Sequence, residues 1–358
     1  MFFSFLIGFF ALISLAVLHE FGHFILSKLF GVKVEEFGIG YPPRIIGKKV
    51  GETVYSLNLL PFGAFVRLKG EIEGIEDSRS FSQQPVGKRA LIALGGVVSF
   101  WIMASILLSI VFGLGAPIAI EDQDSNFINP RVQISAVADE SPAKTAGLKP
   151  GDIIKKLEFG NLKVETTKVK EIQEFVNSHL GKEIILSIER ENKNFEVNLV
   201  PRVSSPIGEG PTGVSLVRTA IKKYPWYQVP LEGISATGKL TLAILEGYSQ
   251  AIKNLFQGLQ TGVEMTGPVG VVNLLTEASQ LGLTYFLNFL AVISLYLALF
   301  NILPIPAADG GKLLFLGIEA VRKKPVSPKI EQEITTAFFM MLIVLMIFVT
   351  IKDITRIF

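Results

Sequence analysis

The chain of 358 residues contains no cysteine. Disulfides and thiol chemistry are thereby excluded, while the redox state of the compartment stays open. Charge is scarce: Asp, Glu, Lys and Arg together make up 18% of the sequence. The 34 basic and 32 acidic side chains leave a net charge of +2, so no nucleic-acid partner is expected. Histidine occurs three times. Residues 1–27 hold neither Lys nor Arg. Without a basic n-region or a small-x-small cleavage site, this first segment reads as a retained membrane span and not as a signal peptide.

Apolar residues are abundant instead, at 49%, with a mean hydropathy of +0.46. Four runs are long and apolar enough to cross a bilayer, over about 2–30, 91–114, 283–303 and 334–351. Basic residues close to the spans set the orientation. The loop after the first span carries Lys33, Arg44, Lys48, Lys49, Arg67 and Lys69, and that between the last two carries Arg322, Lys323, Lys324 and Lys329. Residues 116–130 carry none. Both basic loops are therefore expected in the cytoplasm, with both termini and the large 116–282 segment outside. Lys352 and Arg356 are a mild counter-signal.

Between the first two spans, "TVYSLNLLPFGAFVRLKG" (53–70) alternates β-formers and is broken by Pro61 and Gly63. It predicts a hairpin-like sheet too close to both spans to be an independent domain. Residues 129–220 predict a compact α+β domain. "PRVQISAV" and "KEIILSIERENKNFEVNLV" read as strands, and "TKVKEIQEFVNSHL" as an amphipathic helix with Val169, Ile172, Phe175, Val176 and Leu180 on one side. "SPAKTAGLKPGDIIKKL" resembles the PDZ signature, and "TGVSLVRT" a late strand of the permuted bacterial type. A PDZ domain takes an extended peptide onto a sheet edge; a purely steric domain is the duller alternative. Residues 224–264 are helical in pattern and moderately apolar. They suit an interfacial helix along the outer membrane surface, or a buried linker helix.

The chemistry is concentrated in "HEFGH". His19 and His23 are four apart, so on a helix they share one face. Glu20 sits beside the first. H-E-x-x-H places two imidazole nitrogens on one zinc with a carboxylate in reach of the reacting water. Two of the chain's three histidines stand here, inside an apolar span where polar side chains are costly and usually functional. A catalytic zinc takes a third protein ligand and keeps an open position. Asp309, in "NILPIPAADGGKLL" at the end of the third span, is the candidate. The prolines unwind the helix there, and Asp309 and His23 both fall near the cytoplasmic ends of their spans. The duller readings are histidines hydrogen-bonded between helices and an aspartate helix cap.

"HEFGH", "NILPIPAADGG" and a PDZ-like domain between them resemble the site-2 protease family of intramembrane zinc metalloproteases, in its bacterial RseP/RasP-like branch with a single PDZ domain. The likeness covers nearly the whole chain, including "PFGAFVRLKGE", similar to the family's membrane re-entrant β-loop, and "TGPVGVV" before the third span. It implies a polytopic α-helical membrane protein: four transmembrane helices, a cytoplasmic-side β-loop (about 50–70) and an inserted PDZ domain. The implied division is 1–115, 129–220 (PDZ), 221–282 (interfacial linker) and 283–358. It implies zinc on His19, His23 and Asp309, Glu20 as general base, and Asn301 with Phe65, Val66 and Arg67 of the β-loop against the substrate. It also implies single-span membrane proteins as substrates, such as an anti-sigma factor or a leftover signal peptide, and a bacterial inner-membrane location with the PDZ domain outside. Gly96 and Ser99 depart from a Gly-Pro-x-x-Asn-Phe pattern, Tyr296 from a common asparagine, and Ala64 from a loop glycine; these bear on substrate gripping. A catalytically silent PDZ scaffold and a metal transporter are the rival classes. Intact Glu20 speaks against the first, and polar residues confined to one level against the second.

Overall fold

A computed structural model describes residues 2–71, 77–124, 127–190, 193–206, 208–258 and 266–357. In chain order the elements are α1 (Phe2–Leu29), β1 (Val34–Val50), β2 (Thr53–Leu68), α2 (Val86–Leu114), β3 (Ala116–Ala119), β4 (Ile128–Val137), α3 (Pro142–Thr145), β5 (Ile153–Phe159) and β6 (Leu162–Glu165). They continue with α4 (Val169–Ser178), β7 (Ile184–Arg190), β8 (Lys193–Leu199), β9 (Val214–Lys222), α5 (Val229–Phe256), α6 (Pro268–Gln280), α7 (Leu283–Ile302), α8 (Asp309–Arg322) and α9 (Pro328–Ile357). They form two compact units, 111–229 and the remainder.

In the helical unit α1, α2, α7 and α9 are long and apolar enough to cross a membrane. Their apolar side chains also face outward, as hydrocarbon requires: Phe339, Met340, Val344 and Phe348 of α9 are all more than half exposed. With no water to drive packing, helices in lipid approach where side chains are smallest. Gly22 of α1 meets Gly95 of α2 backbone to backbone; a Cβ on Gly22 would lie 2.1 Å from the Gly95 carbonyl oxygen. Ser294 of α7 donates to Phe100 O of α2 at 2.9 Å.

The sheet between α1 and α2 is larger than the sequence suggested. It begins at Val34, and the hairpin turn falls at 51–52, where Gly51 has φ +61°, instead of at Pro61 and Gly63. Residues 36–39 have neighbours on both sides, Val54–Leu57 on one and Ala64–Arg67 on the other. Among the described residues the register gives 64–67 no second strand, so they form an open edge. The prolines and glycines of β1 hid it, because its pairing depends on two non-adjacent segments.

The helix expected over 224–264 is α5. α5 lies alongside α2 and antiparallel to it: Trp101 Nε1 donates to Thr241 Oγ1 at 3.1 Å, Ser105 Oγ to Thr237 Oγ1 at 3.0 Å, and Gly233 fits against Ser109. Hydroxyls and a glycine face the partner helix, which dilutes the apolar signal of a segment that nonetheless packs as a bundle helix. Residues 259–264 of that expected helix lie outside the described residues. α6, expected within a linker, packs as core: Leu275 and Val272 are buried, both lie against Gly8 of α1, and Gly270 N donates to Asp353 of α9 at 2.8 Å.

The second unit is a seven-stranded sheet in the order β3-β9-β4-β5-β7-β8, with β6 on β5. α4 buries Ile172, Phe175 and Val176 on a core that includes Ile134, Leu157 and Ile188. Ser141 caps α3, accepting from Lys144 N at 3.1 Å. The Pro-Gly-Asp turn is held by Asp152, whose nearly inaccessible carboxylate accepts from Lys149 N at 2.8 Å and from Arg190 at 2.6 and 2.7 Å. A buried carboxylate needs such a full set of donors.

Candidate metal centre and active site

α1 presents His19 and His23 on one face, with their Nε2 atoms 3.3 Å apart. Asp309 comes from 290 residues further on. After α7 the chain leaves the helix at Leu303, tightens through Ala308 N→Ile305 O (2.8 Å), and starts α8 at Asp309. Gly310 and Gly311 are required by this fold-back: a Cβ would stand 2.0 Å from Leu303 O at the first and 2.4 Å from Ile305 O at the second. Asp309 Oδ2 then lies 3.2 Å from His19 Nε2 and 3.3 Å from His23 Nε2. Among the described residues, this is the one cluster of three metal-ligating side chains found within ligand reach of each other.

The surroundings orient the rings. His23 Nδ1 donates to Ile92 O of α2 at 2.8 Å, which turns the Nε2 lone pair toward Asp309. A hydrogen bond on the far nitrogen is the usual device for fixing a metal-binding imidazole. His19 stacks on Phe100 with ring centroids 4.7 Å apart. At Gly96 both imidazoles pack against bare backbone; a Cβ would lie 2.3 Å from His23 Nε2. Ser99 turns its hydroxyl to Gly96 O at 2.6 Å, and Tyr296 faces Tyr248 of α5 at 6.1 Å.

The donor set fits zinc. Tetrahedral bonds of about 2.0–2.2 Å place neighbouring donor atoms about 3.3 Å apart, and the three separations here are 3.2, 3.3 and 3.3 Å. Asp309 Oδ2 is buried with no hydrogen-bond donor. A carboxylate oxygen between two nitrogen lone pairs is repelled unless a cation lies among them.

A cavity of about 180 Å³ opens beside these ligands. Glu20, His23 and Asp309 line it, and so do Phe65 and Val66 of the open sheet edge. The structure thus brings together His19, Glu20, His23, Asp309, Phe65 and Val66. It does not bring in the other two expected residues. Arg67 is outside the lining, 3.5 Å from Glu36. Asn301 turns its amide back to Leu297 O at 2.9 Å. Sequence reasoning missed Tyr41, Glu71 and Lys312, which also line the cavity. Helical spacing could have found Lys312, one turn after Asp309. The Ile92 carbonyl had no sequence signal, since any residue type carries one.

Two histidines on an apolar helix, an aspartate within ligand reach from a distant segment and a carboxylate in the adjoining cavity are what a metallopeptidase centre requires. The profile of Peptidase family M50 matches residues 7–345. The chain is 34% identical over 345 residues to a Clostridium perfringens protein named as a candidate zinc metalloprotease, covering 95% of each. It is 26% identical to the zinc metalloprotease RasP of Oceanobacillus iheyensis, over 99% of each chain. It is 28% identical to the RasP of Geobacillus kaustophilus, over 96% of each. The chain belongs to Peptidase family M50, the site-2 proteases, and is a membrane zinc metalloendopeptidase.

Proposed function

We propose that the protein hydrolyses a peptide bond within or near the membrane span of single-span membrane proteins, with zinc on His19, His23 and Asp309 and Glu20 as general base. The observation that carries this reading is one cavity lined by Glu20, His23, Asp309 and the open edge strand. Bound zinc supplies a Lewis acid that lowers the pKa of water to about 7 and polarises a carbonyl. Glu20 takes the proton of the attacking water and returns it to the leaving amine. A helical substrate must first unwind, since its amides are otherwise hydrogen-bonded. Pairing with Ala64–Arg67 replaces those bonds and lays the extended segment along the cavity. The Ile92 carbonyl on His23 and the Phe100 ring on His19 fix the imidazoles so that both Nε2 lone pairs would be available to the metal.

The sheet unit suits a PDZ domain. A groove of about 200 Å³ between α4 and β9 is lined by Ile172, Val176, Thr212, Val214 and Leu216. β9 pairs with β4 over 214–217 on one side, while β3 covers only Thr219–Lys222 on the other. A peptide strand can add to the uncovered stretch. The basic loops support a metal centre toward the cytoplasm of a bacterial inner membrane, with this domain outside. Purified protein should contain one equivalent of zinc and cut a panel of single-span substrates. The His19→Ala, His23→Ala double variant should do neither; a full equivalent of zinc in that variant would overturn the ligand assignment.

A further inference from the structure

α8 carries Asp309, and β2 carries the edge strand that the proposed function gives to the substrate. Nothing covalent fixes these two to one another; they lie more than 200 residues apart in sequence. α8 docks by one face, on which Lys312, Phe315, Leu316 and Glu319 recur at helical spacing. Phe315 and Leu316 are buried, and the two charged residues flank them, seven apart. Glu319 accepts from Arg89 of α2 at 2.5 Å. Lys312 Nζ makes a hydrogen-bonded ion pair with Glu71, three residues beyond the end of β2.

The two ties differ in where they sit. Lys312 and Glu71 both line the catalytic cavity, whereas Arg89 and Glu319 do not. The Glu71 carboxylate, and after it Asp309 and Glu20, hold the Lys312 ammonium above the ordinary lysine value, so it stays a cation. On its other side the end of β2 is anchored to the start of the sheet: Lys69 N donates to Lys33 O at 3.0 Å, and Phe81 N to Lys69 O at 2.8 Å. Glu71 is therefore the point at which a strand fixed to the α1 side reaches the helix that bears the third metal ligand.

We propose that Lys312 and Glu71 are a positioning pair for peptide hydrolysis: their ion pair sets the register between the substrate-receiving edge strand and Asp309. This rests on the reading of Ala64–Arg67 as the substrate edge. Without the pair, substrate still adds to the edge and zinc still binds, but the scissile bond stops off register. A displacement of about 1 Å costs about 10²-fold in rate.

The test compares Lys312→Met, Glu71→Gln, Lys312→Arg and the swap Lys312→Glu/Glu71→Lys with Glu319→Gln as the merely structural control. Wild-type cleavage and zinc content are measured alongside. Each of the two single neutral variants should lose about 10–100-fold in kcat, with KM within about threefold and zinc retained. Lys312→Arg and the swap should recover most of the loss, while Glu319→Gln should lower thermal stability and leave kcat near wild type. A wild-type kcat in Lys312→Met would overturn the proposal. So would a dead Lys312→Met beside an active Glu71→Gln, which would put the ammonium to work alone. A second readout needs no activity. The cysteine-free chain accepts spin labels at Leu60 and Leu314, both more than 40% exposed. Their distance distribution should be narrow in the wild type and broad in Lys312→Met, and identical distributions would overturn the pair as a tie. A wild-type protein that cuts nothing would instead count against the proposed function.

Discussion

Gly22 is where the helix crossing and the metal centre meet, so Gly22→Ala probes both. The added Cβ would lie 2.1 Å from Gly95 O and 2.6 Å from Gly95 C. Those are backbone atoms and cannot swing aside. Restoring ordinary contact at about 3.4 Å moves α2 away from α1 by about 1.3 Å. His23 Nδ1, now 2.8 Å from Ile92 O, would then stand about 4 Å away, beyond hydrogen-bond range. Overpacking costs about 1–3 kcal/mol and the lost hydrogen bond about 0.5–1.5 kcal/mol, so the variant should be about 1.5–4.5 kcal/mol less stable. Losing the bond that orients a ligand lowers metal affinity by about 10–100-fold. Gly95→Ala should do less, because one of its close contacts, Leu26 Cδ1 at 2.8 Å, is a flexible side-chain end. Zinc competition with graded chelators and unfolding in detergent measure the two effects. A Gly22→Ala protein with wild-type zinc affinity and stability would refute the crossing and its coupling to His23.

At the turn of the hairpin, Lys28 and then Arg79 hydrogen-bond the Glu52 carboxylate and hold its pKa down at about 2. A folded value below the unfolded one stabilises above about pH 4.5, and this contribution fades as pH falls from there toward 2. Hydrogen exchange at residues 50–54, corrected for intrinsic rates, should accelerate over that window in wild type and show no such step in Glu52→Gln; a step in both would locate the protection elsewhere. For sidedness, a single cysteine at the exposed Leu162 should react with an impermeant reagent from outside the cell. Labelling from the cytoplasmic face alone would reverse the orientation.

The apolar spans and the histidine motif were legible because each is local: a run long enough for hydrocarbon, and a four-residue spacing on one turn. Asp309 was legible through its breakers, Pro304, Pro306, Gly310 and Gly311, which mark where a helix must stop and restart. What stayed hidden depends on pairing. Residues 34–50 contain two prolines, three glycines and three basic residues, so by composition they read as a loop, and only their neighbours 54–57 and 64–67 make them a sheet centre. α5 hid for the opposite reason. Its partner-facing Gly233, Thr237 and Thr241 are small and polar, so hydropathy undervalued a helix that packs along α2. Lys312 looked like an ordinary charge on an amphipathic helix, and its meaning comes from Glu71, which a sequence cannot place beside it. Asn301 shows the converse: a residue singled out by motif that donates to Leu297 O and does not line the cavity.

The central claim is that Glu20 is the base of a zinc peptidase, and Glu20→Gln tests it directly. The substitution keeps size and hydrogen bonding and leaves His19, His23 and Asp309 in place. Elemental analysis and cleavage of a single-span substrate should be run on the same preparation. The account predicts one equivalent of zinc in both proteins and a rate lower in the variant by at least about 10²–10⁴-fold, with uncut substrate co-purifying. Full zinc with near wild-type cleavage by Glu20→Gln would contradict it.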